Sequence, residues 1–172
     1  YLHPVDLGTN KTALQVVLGW YHACALLNDH TVKCWGNGAY GQLGQGNINS
    51  LGDTSNEMGD SLSTVNLGTN KSAIEISAGE THSCALLNDS TVKCWGVGHH
   101  GRLGYGNSFS KGEGPGEMGD NLPTIDFGTN IIVTPTPTTI PPTPSPTPSP
   151  TPLPPITVIP NAQITPVVQS MD

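Results

Sequence analysis

Slid along itself by 60 residues, the sequence repeats. Leu7-Gly8-Thr9-Asn10-Lys11 returns as Leu67-Gly68-Thr69-Asn70-Lys71, and Phe127-Gly128-Thr129-Asn130 opens a third copy. Between 7–47 and 67–107, 26 of 41 positions are identical. Glu57-Met58-Gly59-Asp60 recurs as Glu117-Met118-Gly119-Asp120, so the connecting loop belongs to the unit. A chain built this way stacks copies of one small element, each leaning on its neighbour to cover an apolar face that it cannot bury alone. The expected organisation is a first repeat at 1–66, a second at 67–130 with the start of a third, and a separate segment at 131–172.

Each unit reads as short strands and turns. Ala13 to Leu18 and Ala73 to Ala78 are β-prone runs that end at a glycine. His22 to Leu27 leads through Asn28-Asp29-His30 into Thr31 to Trp35, and His82 to Leu87 through Asn88-Asp89-Ser90 into Thr91 to Trp95. These are hairpins by their turn residues. A glycine-rich stretch, an acidic loop and a fourth strand at Thr64 to Leu67, or Thr124 to Phe127, close the unit. The expectation is an all-β fold of tandem β-propeller-type blades. The 21 Gly and 16 Pro nearly exclude long helices.

Thirteen of the 16 prolines fall in 131–172. Thr134, Pro135, Thr136 and Pro137, then Thr143, Pro144, Ser145, Pro146, Thr147, Pro148, Ser149, Pro150, Thr151 and Pro152, alternate a hydroxyl residue with a ring that lacks a backbone donor. Such a segment is expected to run as an extended polyproline II stalk, roughly 70 Å over 134–155 at ~3.1 Å per residue. Its Ser, Thr and Pro are candidates for O-glycosylation or hydroxyproline formation, as in mucin stalks and algal wall glycoproteins; a plain spacer is the alternative. The apolar end, Ile156 to Val168, offers a short docking segment or a frayed terminus.

The charge balance narrows the partners. Six Lys plus Arg against 13 Asp plus Glu give a net charge of −7, which argues against neutralising a phosphate backbone. Nucleic acid is not expected as a partner. No apolar run of ~18 residues is present, so no helical membrane span is expected. The chain opens on Tyr1 rather than Met, as a processed or excerpted product would.

Four cysteines stand at 24, 34, 84 and 94. With hairpins centred on Asp29 and Asp89, Cys24 faces Cys34 and Cys84 faces Cys94, which predicts two disulfides within hairpins; buried thiols are the alternative. The spacing does not suit zinc. Disulfides imply an oxidising compartment. Asn10, Asn70 and Asn88 open Asn-x-Ser/Thr sequons, candidates for N-glycosylation in a secreted chain.

Three motifs in fixed order, His-x-Cys-Ala-Leu-Leu-Asn-Asp, Thr-Val-Lys-Cys-Trp-Gly and Gly-Gln-Leu-Gly-Gln-Gly, resemble the repeat of the regulator of chromosome condensation family over about 3–130. Arg102 stands where the motif has Gln42. The resemblance implies a β-propeller, typically of seven blades, whose members range from nucleotide-exchange factors to β-lactamase inhibitors and other binding modules. Two units cannot close such a ring. The paired cysteines and the acidic loop are more similar to secreted algal, protist and bacterial members than to nuclear exchange factors.

The remaining candidates point away from catalysis. His22 and His82 read as structural residues, and His99-His100 as a surface loop. Asp53, Glu57 and Asp60, with Glu113, Glu117 and Asp120, read as solvated loop carboxylates with calcium as the alternative. Trp35 and Trp95 are expected to pack between blades, with sugar stacking as the alternative. No nucleophile constellation or phosphate loop stands out, so neither an enzyme nor a cofactor is expected. The sequence reads as an extracellular structural or interaction glycoprotein. Its blades would assemble with protein subunits, of its own or another kind, into a surface filament, an appendage resembling flagellar hairs, or a cell-wall structure. The rivals are a fragment of a soluble protein-binding propeller, exchange-factor-like or inhibitor-like, and a lectin-like module.

Overall fold

The computed structural model describes residues 3–128. The expectations for the proline-rich segment, including the modification sites at 134–152, lie outside the described residues. Two three-stranded antiparallel sheets follow one another. Strands β1 (Ala13–Leu18), β2 (His22–Leu27) and β3 (Val32–Gly36) form the first, in the order β1-β2-β3; β4 (Ala73–Ala78), β5 (His82–Leu87) and β6 (Val92–Gly96) form the second, in the order β4-β5-β6. This is the expected all-β tandem of blades.

The hairpin turns fix the register. Leu27 N donates to Thr31 O at 2.9 Å and His30 N to Leu27 O at 2.8 Å, with His30 at φ 63°. That is a type I turn followed by one left-handed residue, a standard three-residue hairpin loop. Ser90 takes the same role at φ 66°. From these turns the pairing runs Leu26 to Val32, Ala25 to Lys33 and Cys24 to Cys34, and repeats 60 residues later. Cys24–Cys34 and Cys84–Cys94 are the disulfides that result, with Cα atoms 4.1 and 4.0 Å apart.

On the other side of each sheet, a β-bulge interrupts the pairing between Ala13 and Gln15, and again between Ala73 and Glu75. An extra residue on one strand resets the alternation of faces. Ala73 and Ile76, three residues apart, consequently lie buried together. They join Cys24, Leu26, Val32, Ala85, Leu87 and Trp95 in one core cluster that runs through both blades.

The fourth strand of each unit does not form. Thr64–Leu67 and Thr124–Phe127 each give one backbone bond to the neighbouring strand, Val65 N to Val32 O at 2.7 Å and Ile125 N to Val92 O at 2.8 Å. The next residue ends the pairing. Asn66 Oδ1 accepts from Gly68 N at 3.0 Å and Asp126 Oδ1 from Gly128 N at 2.7 Å, turns that draw the backbone away. The loop residue Leu51 instead bridges to Gly36 at the edge of β3, and Lys111 to Gly96 at the edge of β6. Where the two units' loops cross, a Cβ at Gly41 would lie 2.6 Å from Glu113 N, and the φ of 71° there suits glycine.

Candidate interaction surface

The contact between the blades defines what a blade can bind. Along β1, the Gln15 side chain donates from Nε2 to Ile76 O at 2.8 Å and accepts from Ile76 N at 2.9 Å, pairing with the free edge of β4. Ala73 N donates to His30 O at 2.9 Å. Deeper in, Gln42 O accepts from Trp95 Nε1 at 3.0 Å and from Ser83 Oγ at 3.2 Å. Ser83 Oγ also lies 2.9 Å from His22 Nε2. The burial of His22 and, secondarily, the charge of nearby His82 hold its pKa below the usual histidine value. The ring is therefore neutral at pH 7, as a hydrogen-bonded interblade residue should be.

The same contact leaves two faces without a partner among the described residues. We call the side of a blade that meets the preceding blade its leading face, and the opposite side its trailing face. In the second blade the leading face is covered: Ile76 is 3% exposed and Ala73 is fully buried. Val16 and Ala13, their equivalents in the first blade, stand exposed, Val16 by 53%. Leu14 and Leu18 are exposed beside them on β1. Trp20 and Tyr21, in the turn that follows, are also exposed, packed edge to face with ring centroids 6.4 Å apart. On the trailing side, the first blade's Cys24, Leu26 and Val32 are buried, while Cys84, Leu86 and Val92 are only half-buried and line a shallow hollow with Glu75 and Ser77. Apolar positions left open where the repeat's other copy is covered are candidates for an interaction face.

The residues picked out by the sequence divide between these faces and the loops. Trp95 is fully buried between the blades as expected, whereas Trp35 is half-buried beside the open leading face. His82 is half-buried, its pKa lowered first by burial and then by the Arg102 charge. His99 and His100 are exposed in a single 3-10 turn. Four of the loop carboxylates are taken up by hydrogen bonds within the protein. Asp60 accepts from Thr9 N at 2.8 Å and Thr9 Oγ1 at 2.6 Å, bonds that lower its pKa, and Asp120 does the same with Thr69. Glu57 accepts from Gly52 N at 2.8 Å, and Glu117 from Glu113 N and Gly114 N at 2.9 Å each. Among the described residues no group of three or more His, Cys, Asp or Glu is placed to hold a metal ion.

Asn10, Asn70 and Asn88 are all exposed. Asn10 and Asn70 sit at the tips of turns with φ 58°. Asn88 is tied down: its Nδ2 donates to Asn70 O at 3.2 Å and its Oδ1 accepts from Ser72 N at 3.3 Å.

Three features escaped the sequence reading. Lys33 is 4% exposed and ties two segments of its unit together, donating to Leu7 O at 2.9 Å and Gly59 O at 2.8 Å; Lys93 repeats the arrangement. Gln15 pairs with the edge of β4 through both ends of its amide, which nothing in its strand position signals. Trp20-Tyr21 had a signal, because Glu80-Thr81 replaces it in the second copy and a break in a repeat marks what the fold does not need.

The regulator of chromosome condensation (RCC1) repeat profile matches residues 14–42 and 73–102. The human protein described as "Probable E3 ubiquitin-protein ligase HERC6" is 35% identical over 100 residues, 58% of this chain and 9% of that protein. The ultraviolet-B receptor UVR8 of Arabidopsis thaliana is 31% identical over 109 residues, 63% of this chain and 23% of the receptor. The chain thus spans under a quarter of the length of these relatives. Among solved structures, yeast RCC1 (Prp20) bound to Kap60 superposes with a TM-score of 0.54 at 20% identity, over 76% of this chain and 26% of that one. Human WBSCR16 superposes with a TM-score of 0.51 at 23% identity, over 64% of this chain and 28% of that one. These likenesses establish the propeller-blade fold, and the matched stretches of this chain are similar to RCC1-type repeats.

Proposed function

We propose that this chain is a non-catalytic protein-interaction module that works outside the cell. Its blades join other protein subunits in a surface filament, appendage or wall structure, and its proline-rich segment serves as a glycosylated stalk. The observation that carries this reading is the pair of open faces: positions buried at the interblade contact in one copy of the repeat stand exposed or half-buried in the other. A partner of blade-like shape covers them at a favourable cost, since removing apolar area from water is worth about 25 cal/mol per Å² before the costs of association. Two disulfides in a pair of small blades support an oxidising compartment. The neighbour solved with Kap60 is a precedent for protein partners on this fold.

The intact mass of the chain from its native source tests the reading. The polypeptide weighs 17.9 kDa. Added hexose or pentose within 134–155, together with four hydrogens gained on reduction, is the expected result. A bare mass with four free thiols overturns it in favour of a soluble intracellular binding propeller.

A further inference from the structure

We infer that the trailing face of the second blade is a docking site for the leading face of the first blade in a second copy of this chain, so that copies join head to tail. The inference rests on the interaction-module reading above and names its partner and site. The warrant is the interblade contact itself. The two open faces are the repeat equivalents of the two faces that meet inside the molecule, so the internal contact is a template for the external one.

When the second blade's residues are exchanged for those 60 positions earlier and the first blade's for those 60 positions later, most of the template survives. Ile76, which fills the interface, becomes Val16, and buried Ala73 becomes Ala13. Trp95, which donates to a backbone carbonyl, becomes Trp35, and a backbone acceptor stays available whatever the side chain. Gly41 and Gly112, whose backbones approach closely, become Gly101 and Gly52, both again glycine. A heterologous contact of this kind does not close on itself in a dimer and continues into a ring or a fibre.

The template fails at three polar points. His30, whose Nδ1 lies 3.1 Å from Ala73 O, becomes Ser90; the other two set the strength of the joint. Ser83 becomes Ala23, so the hydroxyl bridge to His22 is lost. Gln15, which both donates to and accepts from Ile76, becomes Glu75. A carboxylate accepts the edge N–H of Val16 but has no proton for its C=O. Two acceptors then face each other at a contact that must lose water. Glu75 therefore restrains the joint, and the internal contact is the tighter of the two.

Sedimentation velocity on the full 172-residue chain at rising concentration tests this. The expected outcome is growth past the dimer. Val16→Asp spoils the leading face and Ser77→Asp the trailing face, and both positions are exposed, so the fold should tolerate either change. Each variant alone should stay monomeric, and an equimolar mixture should form a 1:1 complex and stop there. Glu75→Gln should restore the missing donor and tighten association by about tenfold, the worth of one well-made hydrogen bond plus relief of the acceptor clash. A chain and a Glu75→Gln variant that both remain monomeric at millimolar concentration overturn the inference. So does assembly that stops at two, or assembly that survives Val16→Asp, because either means a contact other than head to tail. The mass measurement above fails or succeeds separately, so a monomeric glycoprotein and a self-associating intracellular chain are distinguishable results.

Discussion

Trp95 of the second blade donates its indole N–H to the backbone carbonyl of Gln42 in the first, across 3.0 Å, from a side chain with no exposed surface. Its repeat equivalent Trp35 is half-buried and has no blade packed in the corresponding place. Identical residues in identical strands thus carry different weight. Trp95→Ala should cost about 3–5 kcal/mol by opening a cavity between the blades, and Trp35→Ala markedly less. Denaturant unfolding of the two variants, measured at equal disulfide content, gives the comparison.

Gln15 and Glu75 should differ in the same way. Gln15→Ala leaves the N–H and C=O of Ile76 without partners at a partly buried contact, a loss of about 1–3 kcal/mol. Glu75 is exposed, and Glu75→Ala should change the monomer's stability by no more than about 0.5 kcal/mol. Thermal unfolding of dilute protein reads both.

The two disulfides should reduce in order. Cys24 and Cys34 are buried within the interblade core, whereas Cys84 is half-buried beside an open hollow. A phosphine reductant should therefore open Cys84–Cys94 first, as timed alkylation and peptide mass analysis would record. Removing either bridge by a double Cys→Ser change should cost about 3 kcal/mol, the loop entropy of a ten-residue separation.

Acid should loosen the contact between the blades. Burial holds the pKa of both His22 and His82 below the ordinary 6.5, so protonation favours the unfolded chain. Their contribution to stability is intact above about pH 6.5 and falls away as the pH drops through that value toward the lower folded ones. His22→Gln should flatten the stability profile between pH 7 and pH 5, leaving the smaller slope from His82. Equilibrium unfolding at half-unit pH steps checks the sign.

Lys33 should resist conservative exchange. Its ammonium donates to two backbone carbonyls, Leu7 O and Gly59 O, from a side chain almost without exposure. Lys33→Met keeps the stem and strips both acceptors of their partner, a loss of about 1.5–3 kcal/mol. Lys11→Met, which removes the surface pair with Asp29, should cost less than about 1 kcal/mol. Urea unfolding of the two variants separates buried from exposed lysine.

Much of the fold was legible because it is local. The β-prone runs, the turns at Asn28-Asp29-His30 and Asn88-Asp89-Ser90, and the cysteines equidistant from them fix register within a hairpin, where neighbours in sequence are neighbours in space. The fourth strand was misread for the same reason. Thr64 to Leu67 has strand composition, but whether it pairs depends on how Asn66 turns the chain toward the next unit, and the Asn66–Gly68 bond is not encoded in β-propensity. The interaction surface was hidden more deeply. Gln15, Ser83 and Lys33 act through partners 61, 61 and 26 residues away, distances at which sequence spacing carries no geometry.

By itself the sequence determined the repeat, the hairpins and the disulfide pairing, since a 60-residue period and a centred turn fix which residues face each other within each hairpin. Only the tertiary structure decided which copy of each repeated residue is covered. Ala13 and Ala73, or Trp35 and Trp95, are the same residue to the sequence and to the strand. They differ only because one blade packs against the other, and burial depends on what stands opposite rather than on what comes next in the chain.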